Sequence, residues 1–92
     1  MINLDLTGKR AVVTGASLGI GEACVKMLAD HGAEVYFCAR TPESVEKLSS
    51  HANEKGSIKG YIADMGQKNS TQDFIEKILH EGGVDILVNN VG

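Results

Sequence analysis

The stretch VVTGASLGIGEA, residues 12–23, decides the fold of this chain. Apolar β-formers lead into three glycines, Gly15, Gly19 and Gly21, and good helix formers follow them. A strand, a glycine turn and a helix in this order are typical of the first unit of a parallel sheet that binds a dinucleotide. The simpler alternative is a glycine-rich turn that binds no ligand.

The rest of the chain repeats the same alternation. Short apolar runs predict strands over residues 10–14, 34–39, 58–63 and 84–89. Most of these runs are nearly continuous, as parallel strands covered on both faces require. The side chains expected to face inward are Ala23, Cys24, Met27 and Leu28 in the first helix, Val45, Leu48 and Ala52 in the second, and Phe74, Ile75, Ile78 and Leu79 in the third. The order βαβαβαβ predicts an α/β fold, a Rossmann-type doubly wound parallel sheet with strand order 3-2-1-4.

Polar residues and glycine mark the ends of the predicted helices. Gly32 is expected to close the first helix in a left-handed conformation. Thr41 can cap the second helix, with Pro42 at its first position. Ser70 with Asp73 resembles a capping box, so the third helix is expected to follow Ser70.

The composition argues against several classes of function. The chain has 92 residues, of which 42% are apolar and 23% charged, with a formal net charge of −3. Because basic residues form no run, we expect no nucleic-acid partner. No apolar stretch approaches the ~18 residues of a membrane span, and the N-terminus resembles no secretory signal. We therefore expect a cytoplasmic protein.

The cysteines and histidines show no spacing that is typical of a metal site. We expect buried thiols at the two cysteines, histidines at the ends of helices, and no metal site. The residues are Cys24, Cys38, His31, His51 and His80.

The glycine turn has the features of a phosphate site. Such a site needs free backbone N–H groups, small residues and the positive end of a helix dipole. Here Gly15 leaves the strand, Ser17 offers a hydroxyl, and Gly19 and Gly21 enter the helix. A nucleoside-triphosphate loop is excluded, because its motif would need glycine at Ile20 followed by lysine.

Three motifs in register resemble the short-chain dehydrogenase/reductase family. They are TGASLGIG at 14–21, ADM at 63–65 after the third strand, and ILVNNVG at 86–92 after the fourth. The resemblance spans the chain and implies that residues 1–92 are the N-terminal part of a single NAD(P)-binding Rossmann domain. One departure from the family's NNAG motif is Val91, which stands where alanine is usual.

The resemblance also implies roles for individual residues. Asp64 would face the adenine ring, Asn90 would lie near the adenosine ribose, and Asn89 would hold the sheet together. Without the resemblance, a helix cap or an acidic residue of a turn is as good an interpretation of Asp64 as a residue that faces the adenine ring. The cofactor-binding residues that we expect are Gly15, Ser17, Leu18, Gly19, Ile20, Gly21, Arg40, Asp64, Met65, Asn90, Val91 and Gly92.

Cofactor choice depends on the end of the second strand. An acid about 20 residues past the glycines binds the ribose 2′-OH of NAD, whereas arginine suits the 2′-phosphate of NADP. By the resemblance Ala39 stands where the acid would be, and Arg40 follows it. The alternative role for Arg40 is a surface pair with Glu43. Leu18 stands where NADP-dependent relatives often carry a second basic residue. We expect NADP, with NAD as the alternative.

The resemblance implies hydride transfer between the nicotinamide and a small carbonyl compound or secondary alcohol. Relatives use a serine and a Tyr-x-x-x-Lys pair for proton transfer. Tyr36 precedes Arg40 by four residues, but on a strand the two α-carbons are ~13 Å apart. Tyr61 is followed four residues later by Met65, which is not a lysine. Neither tyrosine is therefore that of the pair. We therefore expect no catalytic residue in this chain.

The fourth strand would leave an exposed apolar edge in the predicted sheet, which is prone to aggregation. This edge and the absent catalytic pair lead us to expect the first half of a longer enzyme, oligomeric like many relatives. Two other functions stay open: a non-catalytic NAD(P)-binding sensor or regulatory module, and an interaction fragment that binds no nucleotide.

Overall fold

The computed structural model describes residues 5–15, 19–51, 55–63 and 68–89, and the side chains of all of these except 68–71 and 89. Strands and helices alternate along the chain as predicted. The elements are β1 (Arg10–Thr14), α1 (Ile20–Asp30), β2 (Glu34–Ala39), α2 (Pro42–Ser49), β3 (Ser57–Ile62), α3 (Lys68–Gly82) and β4 (Ile86–Asn89).

The four strands form one parallel sheet in the order β3-β2-β1-β4. This confirms the predicted Rossmann-type topology. In the register, Val13 of β1 lies beside Phe37 of β2 and Val88 of β4. Because all strands run in the same direction, their carboxyl ends meet at one edge of the sheet. That edge receives the turn between β1 and α1.

Each face of the sheet has its own apolar cluster. The cluster under α1 and α2 consists of Ala11, Val13, Val25, Leu28, Ala29, Ala33, Val35, Phe37, Ala39 and Leu48. The cluster under α3 consists of Val12, Tyr36, Cys38, Ala63, Phe74 and Ile78. The central strands β1 and β2 therefore bury both of their faces, as their continuous apolar runs predicted.

The inward face of α1 differs from the predicted one. Gly21, Val25, Leu28 and Ala29 are buried, a spacing of four, seven and eight residues that follows one side of a helix. Only Leu28 of the predicted set belongs to this face. The prediction was wrong for Ala23 and Met27, which are exposed, and for Cys24, which is half-buried. The reason is that the buried side of α1 runs through Gly21, Val25 and Leu28, which places Ala23 and Met27 on the outer side of the helix.

The other two helices follow the prediction more closely. In α3, Phe74 and Ile78 are buried and Ile75 is half-buried, but Leu79 is 53% exposed. The prediction for Leu79 was wrong because the buried residues are four apart, and the residue after Ile78 turns away from the sheet. The inward residues predicted for α2 are a buried Leu48 and a half-buried Val45, and Ala52 lies outside the described residues.

The ends of the helices are mostly as predicted. Thr41 caps α2, since its Oγ1 accepts a hydrogen bond from the Ser44 N–H at 3.3 Å, and Pro42 follows at the first helical position. Gly32 follows α1 with a φ of +104°. The predicted capping box is wrong, because α3 begins at Lys68 and Ser70 lies inside it. The helix can start before Ser70 because residue 68 and the residue after it are neither proline nor glycine.

Candidate functional site

The carboxyl edge of the sheet brings part of the predicted site together. Gly15 follows β1 directly, and Gly19 is the N-cap of α1. Arg40 follows β2, and α1 itself contributes Ile20 and Gly21. The predicted site residues that lie outside the described residues are Ser17, Leu18, Asp64, Met65, Asn90, Val91 and Gly92. For all twelve residues the cofactor-binding assignments stay predictions.

The backbone of the turn requires glycine at two positions. Gly15 has a φ of +64°, and Gly19 has a φ of +62° with a ψ of −126°. Side chains of L-residues rarely adopt these angles. A Cβ atom built on Gly19 would meet no atom of the described residues within 4 Å. Glycine is therefore required at Gly19 by the backbone angles and not by a clash with any of the described residues.

The N-terminus of α1 can bind an anion. The first N–H groups of a helix have no partner within the helix, and Gly19 has no side chain that could cap them. The helix dipole adds partial positive charge at this end. Glu22 is the acidic residue of the first turn, and the Lys26 ammonium lies 3.0 Å from its carboxylate. This hydrogen bond and charge hold the pKa of Glu22 below its usual value.

The first two residues of α1, Ile20 and Gly21, lie on opposite sides of the helix. Gly21 is buried where α1 meets the sheet. Ile20 is 73% exposed, the largest exposure among the exposed large apolar side chains of the described residues. The turn therefore presents backbone N–H groups beside an apolar side chain, a combination that suits a ligand with both phosphate and ring components.

Cys38 contacts the glycine turn from β2. Its side chain is fully buried, and the Gly15 N–H donates a hydrogen bond to its sulfur. Burial raises the pKa of the Cys38 thiol, and this hydrogen bond lowers the pKa by a smaller amount. The thiol is therefore kept protonated at neutral pH. The sequence predicted its burial, but the contact with Gly15 was missed because it depends on the register of two strands.

Arg40 is exposed at the end of β2, directly after the buried Ala39. Among the described residues, the two ion pairs join Lys26 to Glu22 and His51 to Asp30. The alternative pair of Arg40 with Glu43 is thus not formed in this structure. Arg40 pairs with no carboxylate of the described residues, and it lies at the same edge of the sheet as the glycine turn.

A second feature of this edge is a cavity of about 300 Å³ beside the end of β3. The Tyr61 and Phe74 rings lie 5.5 Å apart there, and the Lys77 ammonium lies 4.7 Å from the centre of the Tyr61 ring. Ile62, Ala63 and Asp73 complete the lining. The sequence did not predict this cavity, because it depends on how α3 packs against the end of β3.

In the described ranges, no group of three or more histidine, cysteine, aspartate or glutamate side chains could hold a metal ion. No helix of those ranges is long and apolar enough to cross a membrane. His31 caps α1, with Nδ1 2.7 Å from the Met27 carbonyl oxygen, and His51 Nε2 lies 3.1 Å from Asp30 Oδ1.

Comparison with protein families gives a match over nearly the whole chain. A family model described as short chain dehydrogenase matches residues 9–92. An uncharacterized oxidoreductase, YvrD of Bacillus subtilis, is 35% identical over 91 residues, which are 99% of this chain and 35% of that protein. The 3-oxoacyl-(acyl-carrier-protein) reductase FabG of Vibrio cholerae is 40% identical over 90 residues, 97% of this chain and 36% of FabG.

Solved structures give the same result. A short-chain dehydrogenase/reductase from Serratia marcescens has a TM-score of 0.85 at 38% identity, covering 95% of this chain and 37% of that one. An RhlG/NADP active-site complex from Pseudomonas aeruginosa has a TM-score of 0.82 at 31% identity, covering 98% and 37%. The chain thus spans about a third of the length of the relatives it matches.

Proposed function

Because the chain belongs to the short-chain dehydrogenase/reductase family, we propose that it is the cofactor-binding part of an oxidoreductase. The reaction proposed is hydride transfer between NADP(H) and a small carbonyl compound or secondary alcohol. Relatives named as an oxidoreductase and a 3-oxoacyl reductase support this class of reaction. The serine and the Tyr-x-x-x-Lys pair are expected in the part of the protein outside these 92 residues.

In this proposal the glycine turn and the N-terminus of α1 hold the pyrophosphate. The fit rests on the positive φ angles of Gly15 and Gly19, which bring the main chain close to a ligand without a Cβ atom in the way. When bound, the nicotinamide supplies or accepts the hydride. The residues of this chain bind and orient the cofactor, and Asp64 and Asn90 are proposed to hold its adenosine end.

The observation that supports NADP is the exposed Arg40, which pairs with no carboxylate of the described residues and follows a strand that ends without an acid. A carboxylate at Ala39 would repel a 2′-phosphate, whereas a guanidinium binds phosphate through charge-assisted hydrogen bonds. The structural neighbour described as an RhlG/NADP complex is consistent with this choice. NAD is the alternative cofactor, since Leu18 adds no second basic residue to the turn.

The test is titration of the intact protein with NADPH and NADH, followed by nicotinamide fluorescence. We expect tighter binding of NADPH, and we expect Arg40→Asp to weaken NADPH binding about tenfold or more, the usual range for a hydrogen bond to a charged group. Lys9→Asp is the matched control, because it makes the same charge change before β1, at the opposite edge of the sheet. Its cofactor preference should equal that of the wild type.

Other outcomes of these titrations would contradict the role of Arg40 or favour a different function. If Arg40→Asp leaves the ratio of the two affinities unchanged, Arg40 is only a surface residue. Binding without turnover of any carbonyl compound would indicate a sensor or regulatory module. Absence of binding of either cofactor up to millimolar concentration would leave an interaction fragment.

We also propose that the intact protein is a cytoplasmic homodimer or homotetramer. The support for the assembly is the oligomeric state that is common in the family. Light scattering of the purified intact protein measures its mass, and a monomer would contradict this part of the proposal.

A further inference from the structure

Cys38 and the start of the glycine turn lie side by side in the sheet. Val13 of β1 is paired with Phe37 of β2, so Thr14 and Cys38, the next residues of the two strands, are at the same level. The Cys38 side chain belongs to the cluster under α3 and is fully buried. From there its sulfur accepts the hydrogen bond of the Gly15 N–H.

This hydrogen bond is made where the main chain leaves the sheet. The φ of +64° at Gly15 turns the chain away from the direction of β1. A side chain that accepts a hydrogen bond from a main-chain N–H group also defines the direction of that peptide group. On the other side of β1, Thr14 Oγ1 donates to the Val88 carbonyl oxygen at 3.5 Å. Side-chain contacts thus hold the start of the turn to both neighbouring strands.

We propose that Cys38 is a positioning residue for the glycine turn, which fixes the Gly15 peptide so that the N–H groups at the start of α1 meet the dinucleotide pyrophosphate. The inference rests on the proposed function, because it assumes that the turn binds a dinucleotide. Cys38 acts through Gly15 and has no exposed surface with which to touch a ligand. Its thiol is neither a nucleophile nor a redox group in this role.

The test uses three variants of the intact protein. Cys38→Ala removes the acceptor, and Cys38→Ser removes the sulfur but keeps an acceptor at the same position. Ile78→Val is the matched control, since Ile78 is fully buried in the same cluster but lies on α3. We expect Cys38→Ala to weaken NADPH binding about fivefold, the usual effect of one neutral hydrogen bond. Cys38→Ser should bind within about twofold of wild type on the same basis, and Ile78→Val should bind as wild type does.

Melting temperature separates positioning from packing. Cys38→Ala and Ile78→Val both remove volume from one cluster, so both should melt at a lower temperature. If the two variants lose affinity equally, the thiol acts only through packing and the inference is wrong. If Cys38→Ala binds NADPH as tightly as the wild type, the inference is also wrong.

A second measurement does not depend on any cofactor. Hydrogen exchange of the Gly15 amide, followed by nuclear magnetic resonance in the ligand-free protein, should be faster in Cys38→Ala and restored in Cys38→Ser. If the wild type binds neither cofactor, the proposed function fails and the exchange data alone decide whether Cys38 holds the turn. Unchanged exchange in Cys38→Ala would overturn the inference whatever the cofactor results.

Discussion

At the residue scale, Gly19 has a φ of +62° and a ψ of −126°, and a Cβ atom built on it would meet no described atom within 4 Å. Alanine at this position would be strained without touching any neighbour among the described residues. We therefore expect Gly19→Ala to lower the free energy of unfolding by about 1–3 kcal/mol and to weaken NADPH binding by moving the start of α1. Urea denaturation and fluorescence titration of the intact protein measure the two effects.

Gly8 provides the control for Gly19. It has a φ of +86° and also has no described atom within 4 Å of a built Cβ, but it lies before β1, at the opposite edge of the sheet. Gly8→Ala should lower stability in the same way and leave NADPH affinity unchanged. Equal affinity losses in the two variants would show that strain anywhere in the fold, rather than the turn itself, weakens binding.

The residues of the site differed in how well the sequence predicted them. Gly19, Gly21 and Arg40 could be proposed from the sequence because each has a fixed spacing from the end of a strand. The contact between Cys38 and Gly15 was not, because it depends on which residues of β1 and β2 lie opposite each other. Spacing along one chain segment is visible in a sequence, whereas register between two segments is a result of packing.

At the element scale, α2 approaches β3 closely because residue 60 is glycine. A Cβ atom on Gly60 would lie 2.5 Å from Phe37 Cζ and 2.7 Å from Val45 Cγ1. Gly60→Ala should force α2 outward and lower the free energy of unfolding by about 1–3 kcal/mol, measured by urea denaturation. Because one of the clashes is with Val45, the same change should cost less in a Val45→Ala background. Additive losses in this double-mutant cycle would contradict a clash between the two residues.

The first turn of α2 depends on Thr41. Its Oγ1 accepts from the Ser44 N–H at 3.3 Å and lies 2.9 Å from Ser44 Oγ. Thr41→Ala should cost about 1 kcal/mol of stability, the usual cost of losing an N-cap, whereas Thr41→Ser keeps the acceptor and should cost much less. Thermal unfolding of both variants is the measurement. Equal losses would mean that Thr41 does not cap the helix.

Element type and order could be predicted because each element has a strong local pattern. The inward faces of the helices could not be predicted as well. In α1 the prediction chose large or sulfur-containing side chains such as Met27, but the glycine Gly21 faces the sheet because it allows close packing. In α3 the predicted inward face included Leu79, which is exposed in the structure. Both errors arise because a helix is oriented by the surface it packs against.

At the scale of the whole molecule, a group of polar and aromatic side chains lies near the amino ends of β1 and β2. On the α3 side, Tyr36 is 3% exposed, and its hydroxyl donates to Glu34 Oε1 at 2.5 Å. The Arg10 guanidinium lies 4.8 Å from the centre of the Tyr36 ring, and a Cβ atom on Gly82 would collide with Arg10 Nη1. Tyr36 therefore lies where β1, β2 and the end of α3 meet, and its hydroxyl bonds to the first residue of β2.

Burial, together with the hydrogen bond to Glu34, raises the pKa of Tyr36 from 10 to about 12. Below pH 10 the phenol is protonated in both the folded and the unfolded chain, so the contribution to stability is fully present. Between pH 10 and 12 the unfolded chain releases the proton while the folded chain keeps it. The unfolded state is then favoured, and stability falls as the pH rises.

Tyr36→Phe removes this titration and should therefore change the alkaline unfolding of the whole molecule. The variant loses the hydrogen bond to Glu34 and should be less stable than wild type at pH 8. Its free energy of unfolding should then fall less between pH 10 and 12, by up to about 3 kcal/mol, the equivalent of two pKa units. Urea denaturation of both proteins from pH 8 to 12 gives the two curves. Parallel curves would mean that the phenol titrates alike in the folded and unfolded chains, and that its burial does not govern alkaline stability.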